Sequence, residues 1–112
     1  MQKNKTEKEK KNLENAVGLL KLLSHPVRLS ILCNLLHHGE LSVGEIVAAE
    51  SGAAGQSQIS QFLGKMRSEG LVQSRKEGQM VYYSILSPQA QKLVDSLYDI
   101  YCGEAQNQKP CP

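Results

Sequence analysis

A mainly α fold with one small β-hairpin follows from three observations. Apolar residues recur at three- and four-residue steps along most of the 112-residue chain. Glycine, proline and serine interrupt that pattern at the places where helices start and stop. One stretch, residues 71–86, reads instead as two short strands around a Glu77-Gly78 turn.

The elements follow in order. Residues 1–12 form a Lys/Glu-rich segment without an apolar stripe, expected to be a flexible tail. From Leu13 the pattern becomes helical, with Leu13, Ala16, Val17, Leu20 and Leu23 on one face. Ser24-His25-Pro26 punctuates. Ser24 can cap a second helix and Pro26 suits its first turn. That helix carries Val27, Leu29, Ile31, Leu32, Leu35 and Leu36 and stops at His37-His38-Gly39. Ser42 and Glu45 have the spacing of a capping box for a short third helix. After a turn at Ala53-Ala54-Gly55, a fourth helix spans residues 56–69 with Ile59, Phe62, Leu63 and Met66 as its buried stripe. Strands are expected at 71–75 and 80–86. Ser87-Pro88 opens a fifth helix bearing Ala90, Leu93, Val94, Leu97, Tyr98 and Tyr101. The expected folded domain is residues 13–102, followed by a flexible tail at 103–112. Two helices, a helix-turn-helix, a hairpin and a last helix make the plan of a winged helix-turn-helix, with the hairpin as wing.

Composition excludes several classes. The first twelve residues hold no apolar segment of a secretory signal, and no apolar run is long enough for a membrane helix. The expected location is cytoplasmic, with no membrane partner. Three cysteines, an odd count, do not suit a secreted disulfide framework. No Cys-X-X-Cys, phosphate-binding glycine loop or nucleophile with an arranged base marks an enzyme. The net charge of +2 permits nucleic-acid binding without requiring it.

The fourth helix carries the surface that fits DNA. Gln56, Ser57, Gln58, Ser60, Gln61 and Lys65 lie off its apolar stripe. Glutamine can bond adenine bidentately, and serine serves bases or phosphates. Lys65 and Arg67, and Arg75 and Lys76 near the hairpin tip, suit phosphates. Residues 56–84 hold four basic and two acidic residues, a modest attraction for one copy. A homodimer would double the contacts and read an inverted-repeat operator with half-sites roughly 34 Å apart. Parts of the first and fifth helices are expected to form the dimer seam. A helix face of glutamine and serine is by itself as well explained by solvation; the hairpin and the element order tip the balance toward DNA.

The chain resembles the ArsR/SmtB family from about residue 17 to 102. The resemblance is carried by LLKLLSHPVRLSILCNLLHHGELSVGEI and by QSQISQFLGKMRSEGLVQSRKEGQMVYYSI. It implies repression relieved by a signal. Relatives often have S-Q-H-L where this chain has Ser60-Gln61-Phe62-Leu63, so Phe62 replaces a frequent histidine. Metal-sensing members carry a pattern like E-L-C-V-C-D; here the stretch is Glu40-Leu41-Ser42-Val43-Gly44-Glu45, with neither thiol. Others bind zinc or cobalt with Asp and His on the last helix; here that helix has Asp95 and Asp99 and no histidine. Zinc needs about four ligands. His25, His37 and His38 read better as caps or solvated surface. No metal and no cofactor is therefore expected.

Cys33 and Cys102, within RLSILC and LYDIYC, resemble the branch of the family that senses persulfides or oxidants with one cysteine on each of these two helices. The resemblance implies a redox-sensing pair and a reactive sulfur species as inducer. A cysteine on an apolar helix is otherwise ordinary core. Cys111, between Pro110 and Pro112, departs from the pair. With it, three thiolates could hold arsenite or antimonite. A third alternative is a winged-helix interaction or counter-silencing module that senses nothing.

Overall fold

The computed structural model describes residues 6–102, with side chains as far as Tyr101. Helix α1 spans Glu7–Leu23, α2 Pro26–His38, α3 Val43–Ala49, α4 Gln56–Ser68 and α5 Pro88–Cys102. The strands are β1 Leu41–Ser42, β2 Val72–Glu77 and β3 Met80–Ile85, in an antiparallel sheet ordered β1-β3-β2. This is the winged helix-turn-helix, with α3 and α4 as the paired helices and β2-β3 as the wing.

Helix α1 starts six residues earlier than the apolar pattern predicts. Residues 7–12 are helical, which corrects their reading as tail. The cause is local. The Thr6 hydroxyl accepts from the Glu9 N–H, and the Glu9 carboxylate accepts from the Thr6 N–H, a capping box that needs no apolar stripe. The second cap also differs. His25 Nδ1, not Ser24, accepts from the Val27 N–H at 3.1 Å. The Ser24 hydroxyl turns back to donate to the Lys21 carbonyl at 2.8 Å. Pro26 occupies the first turn of α2 as expected. The Ser42–Glu45 capping box forms as read from the sequence.

The wing strands lie closer to the tip than expected. Strand β2 runs through Glu77 and the turn moves to Gly78-Gln79, with Gly78 at φ 63°. That left-handed value favours glycine. The register pairs Val72 with Ile85 and Glu77 with Met80. The two-residue β1 pairs Leu41 with Tyr83 and Ser42 with Tyr82, which ties the loop after α2 to the wing.

The core is built from Ile31, Leu32 and Leu35 of α2, Ile46 of α3, Ile59, Leu63 and Met66 of α4, Val72 of β2 and Val94 of α5. Each is nearly solvent-free, and together they fix α4 against the rest. The stripe of α1 behaves otherwise. Leu22 and Leu23 are buried, but Leu13, Val17 and Leu20 stay 53%, 44% and 55% exposed. Ile100 and Tyr101 near the end of α5 are exposed too. No single helix among the described residues is long and apolar enough to cross a membrane.

Candidate nucleic-acid interface and thiol site

Helix α4 divides cleanly. Ile59, Leu63 and Met66, at steps of four and three, are buried. Gln56, Ser57, Gln58, Ser60, Gln61, Lys65 and Arg67 are exposed. Gln56, Ser57, Ser60 and Gln61 line one open depression on the outer face. Four of the amides and hydroxyls singled out by the sequence thus share one solvent-facing surface at the start of α4, and Gln58 is exposed beside them.

Phe62 is not on that surface. It is half-buried, its ring 4.7 Å from that of His25 and 5.4 Å from the Arg28 guanidinium carbon. Arg28 in turn donates from Nε to the Leu22 carbonyl at 2.7 Å and from Nη2 to the Lys21 carbonyl at 3.2 Å. Phe62 therefore fastens α4 to the α1-α2 junction. Phe62 thus serves packing within the chain.

The four cations differ in freedom. Lys65 makes an exposed ion pair with Glu69 at 3.6 Å, a contact of little energetic weight. Arg67 and Lys76 are exposed. Arg75 is engaged. It donates from Nε and Nη2 to the two Glu40 oxygens at 2.8 and 2.9 Å, and from Nη1 to Glu77. Its guanidinium carbon also lies 4.6 Å from the centroid of the Tyr82 ring. Those hydrogen bonds hold the Glu40 carboxyl below its ordinary pKa and raise that of Arg75. A bidentate guanidinium-carboxylate pair fixes geometry, so Arg75 braces the wing against the loop before β1.

Cys33 lies on α2 and is 7% exposed. Burial, and then the negative field of Glu50, push its thiol pKa above the ordinary 9.0. On one side a groove of about 570 Å³ runs between α2 and α5, lined by Cys33, Leu36, His37, Gln91, Lys92, Asp95 and Tyr98 among others. Cys102 is the last residue of α5. Its side chain, and Cys111, lie outside the described residues. Among those residues no three His, Cys, Asp or Glu side chains are grouped to hold a metal ion.

Sequence reasoning missed one buried polar cluster. Glu50, the C-cap of α3, is 4% exposed. Its Oε2 accepts from the Ser30 hydroxyl at 2.7 Å and from the Asn34 amide at 3.2 Å. The available signal was Ser30 inside the apolar run RLSILCNLL, since a polar group buried there requires a partner.

No protein-family model matches the chain. Individual proteins do. A biofilm growth-associated repressor of Xylella fastidiosa is 39% identical over 94 residues, covering 84% of this chain and 80% of that protein. The transcriptional activator HlyU of Vibrio cholerae is 42% identical over 96 residues, 86% of each chain. The solved structure of reduced HlyU from the same organism superposes with a TM-score of 0.79 at 40% identity, covering 87% of this chain and 99% of that one. Identity of this order over almost the full length, on the same arrangement of helices and wing, means that the chain belongs to the ArsR/SmtB family of winged-helix transcriptional regulators.

Proposed function

We propose that this regulator is a homodimeric, operator-binding repressor whose DNA affinity is switched by persulfide or oxidant chemistry at Cys33 and Cys102. That it is a DNA-binding transcriptional regulator rests on its relatives, a repressor and an activator by name. The outward amide and hydroxyl face of α4 is the surface for base edges. Lys65, Arg67 and Lys76 supply phosphate contacts. Arg75 contributes by holding the wing in place.

The uncovered stripe Leu13-Val17-Leu20, with Ile100 and Tyr101, supports a seam with a second copy. Fully burying a side chain of this kind is worth about 1.5–3 kcal/mol, and each of these keeps a large part of its surface in solvent in one chain. A two-fold axis along such a seam would present two α4 helices to an inverted repeat.

The observation that carries the sensing reading is the placement of Cys33. It borders a groove between α2 and α5, and α5 ends at Cys102. The chemistry balances with an organic persulfide as oxidant. A Cys102 thiolate attacks the outer, sulfane sulfur of RSSH, and RS⁻ leaves with its bonding pair. The Cys33 sulfur then attacks the Cys102 sulfur, and HS⁻ leaves. Two thiols and RSSH become one disulfide, RSH and hydrogen sulfide. Two cysteine sulfurs are oxidised and the sulfane sulfur is reduced. Burial slows Cys33 as a nucleophile, which suits the second step. A bridge from α2 to α5 would tie a helix of the core to the helix whose exposed end supports the seam.

The test is operator binding by the reduced protein before and after treatment with an organic persulfide. Wild type loses affinity and a Cys33–Cys102 link appears by mass spectrometry. If Cys102→Ser responds as fully as wild type, the two-thiol mechanism fails.

A further inference from the structure

We propose that Glu50 is a positioning residue that couples Cys33 to α4. This rests on the reading of Cys33 as the sensor thiol. The geometry is a single side chain serving two elements. On α2, Ser30, Cys33 and Asn34 stand at steps of three and four, hence on one face. Ser30 and Asn34 both donate to the Glu50 carboxylate, so the cysteine is flanked by the two groups that hold it. At its backbone, the same residue builds the turn into α4. The Glu50 carbonyl accepts from the Ala53 N–H at 3.0 Å and from the Ala54 N–H at 3.2 Å. Gly55, the N-cap of α4, follows immediately.

A carboxylate this deeply buried keeps its place only while its hydrogen bonds are made. Two kinds of change at Cys33 disturb them. A negative charge at the sulfur repels the carboxylate. A sulfur drawn toward α5 turns the α2 face that carries Ser30 and Asn34. Either way the disturbance arrives at the Ala53-Ala54 turn, and so at the angle of α4. On its other side Cys33 faces the groove groups His37, Lys92, Asp95 and Tyr98. Burial, and after it the field of Glu50, raise the pKa of the thiol.

The experiment is a double-mutant cycle on operator affinity, with Cys33→Asp as a fixed charge and Glu50→Gln as the partner change. The amide oxygen introduced by Glu50→Gln can still accept from Ser30 and Asn34. The single Glu50→Gln protein therefore binds the operator within about threefold of wild type, while Glu50→Ala loses at least tenfold. With Glu50 present, Cys33→Asp lowers affinity at least tenfold. With Glu50→Gln, the loss shrinks to threefold or less. Equal losses in the two backgrounds, or none in either, overturn the proposal. Since a buried aspartate can prevent folding, alkylation of Cys33 by iodoacetamide in the otherwise native chain gives a second reading. Glu50→Gln moves the pH profile of that alkylation to lower pH and speeds it at least threefold near neutrality; an unmoved profile overturns the proposal. A merely structural role for Glu50 would not move it. Persulfide plays no part in either measurement. A protein that passes both and ignores persulfide retires the sensing chemistry and keeps the coupling; one that releases DNA on persulfide and fails both does the reverse.

Discussion

Helices α2 and α4 have the same length, 13 residues, and opposite roles. Helix α2 buries six residues, Cys33 among them, and packs against α1, β3 and α5. Helix α4 fully buries only Ile59, Leu63 and Met66, against α3 and β2, half-buries Phe62 against His25 and Arg28, and leaves its amide and hydroxyl face to solvent. The difference teaches where a signal can enter and where it can be read out. A change inside α2 has neighbours on every side and must be passed on. A change among the amides and hydroxyls on the outer face of α4 meets solvent among the described residues and matters chiefly to a partner.

Truncating each helix sharpens that contrast. Leu32→Ala removes a side chain of zero exposure and should cost about 2–5 kcal/mol of stability by urea unfolding. Gln61→Ala on α4 should stay within about 0.5 kcal/mol of wild type. Comparable losses for the two would break the comparison. Gln61→Ala should instead weaken operator binding by about 1–3 kcal/mol and leave binding to unrelated DNA unchanged. Equal weakening on both DNAs would reassign Gln61 from base edge to backbone.

The wing allows a finer cut. Lys76→Ala should lower affinity for all sequences and reduce the salt slope by about one. Glu40→Gln discriminates two roles for Arg75. If Arg75 braces the wing, the substitution weakens DNA binding, as Arg75→Ala does. If Arg75 is a phosphate ligand merely parked on Glu40, releasing it strengthens binding. The smallest expected effect is on pH dependence. The Cys33 thiol ionises later in the folded chain than its ordinary 9.0. The unfolded chain therefore loses its proton first, and the associated stability is complete below pH 9 and declines as pH rises above it. Chemical denaturation across that range should show the decline in wild type and a flatter curve in Cys33→Ser.

Local signals were legible in the sequence and distant ones were not. Ser42 with Glu45, Pro26 and the amide face of α4 all act within one or two helical turns, and the fold follows from them. The capping box of Thr6 and Glu9 is equally local, but the charged run around it carries no apolar stripe, so the first turns of α1 read as tail. Strand β1 has two residues and hence no period to detect. The Arg75–Glu40 pair spans 35 positions and the Ser30–Glu50 bond spans 20, so neither leaves a trace in spacing. Spacing alone puts Phe62 on the apolar side of α4; that His25 and Arg28, 34 or more positions away in sequence, receive it depends on how α2 packs against α4.

The central claim is that the sulfur chemistry of α2 and α5 controls what α4 binds. Fluorescence anisotropy of a labelled operator, held by the fully reduced protein and titrated in parallel with an organic persulfide and with arsenite, tests it most directly. The expected result is release by persulfide, restored by dithiothreitol, and no release by arsenite. Release by arsenite alone, or an operator complex indifferent to both, would contradict it.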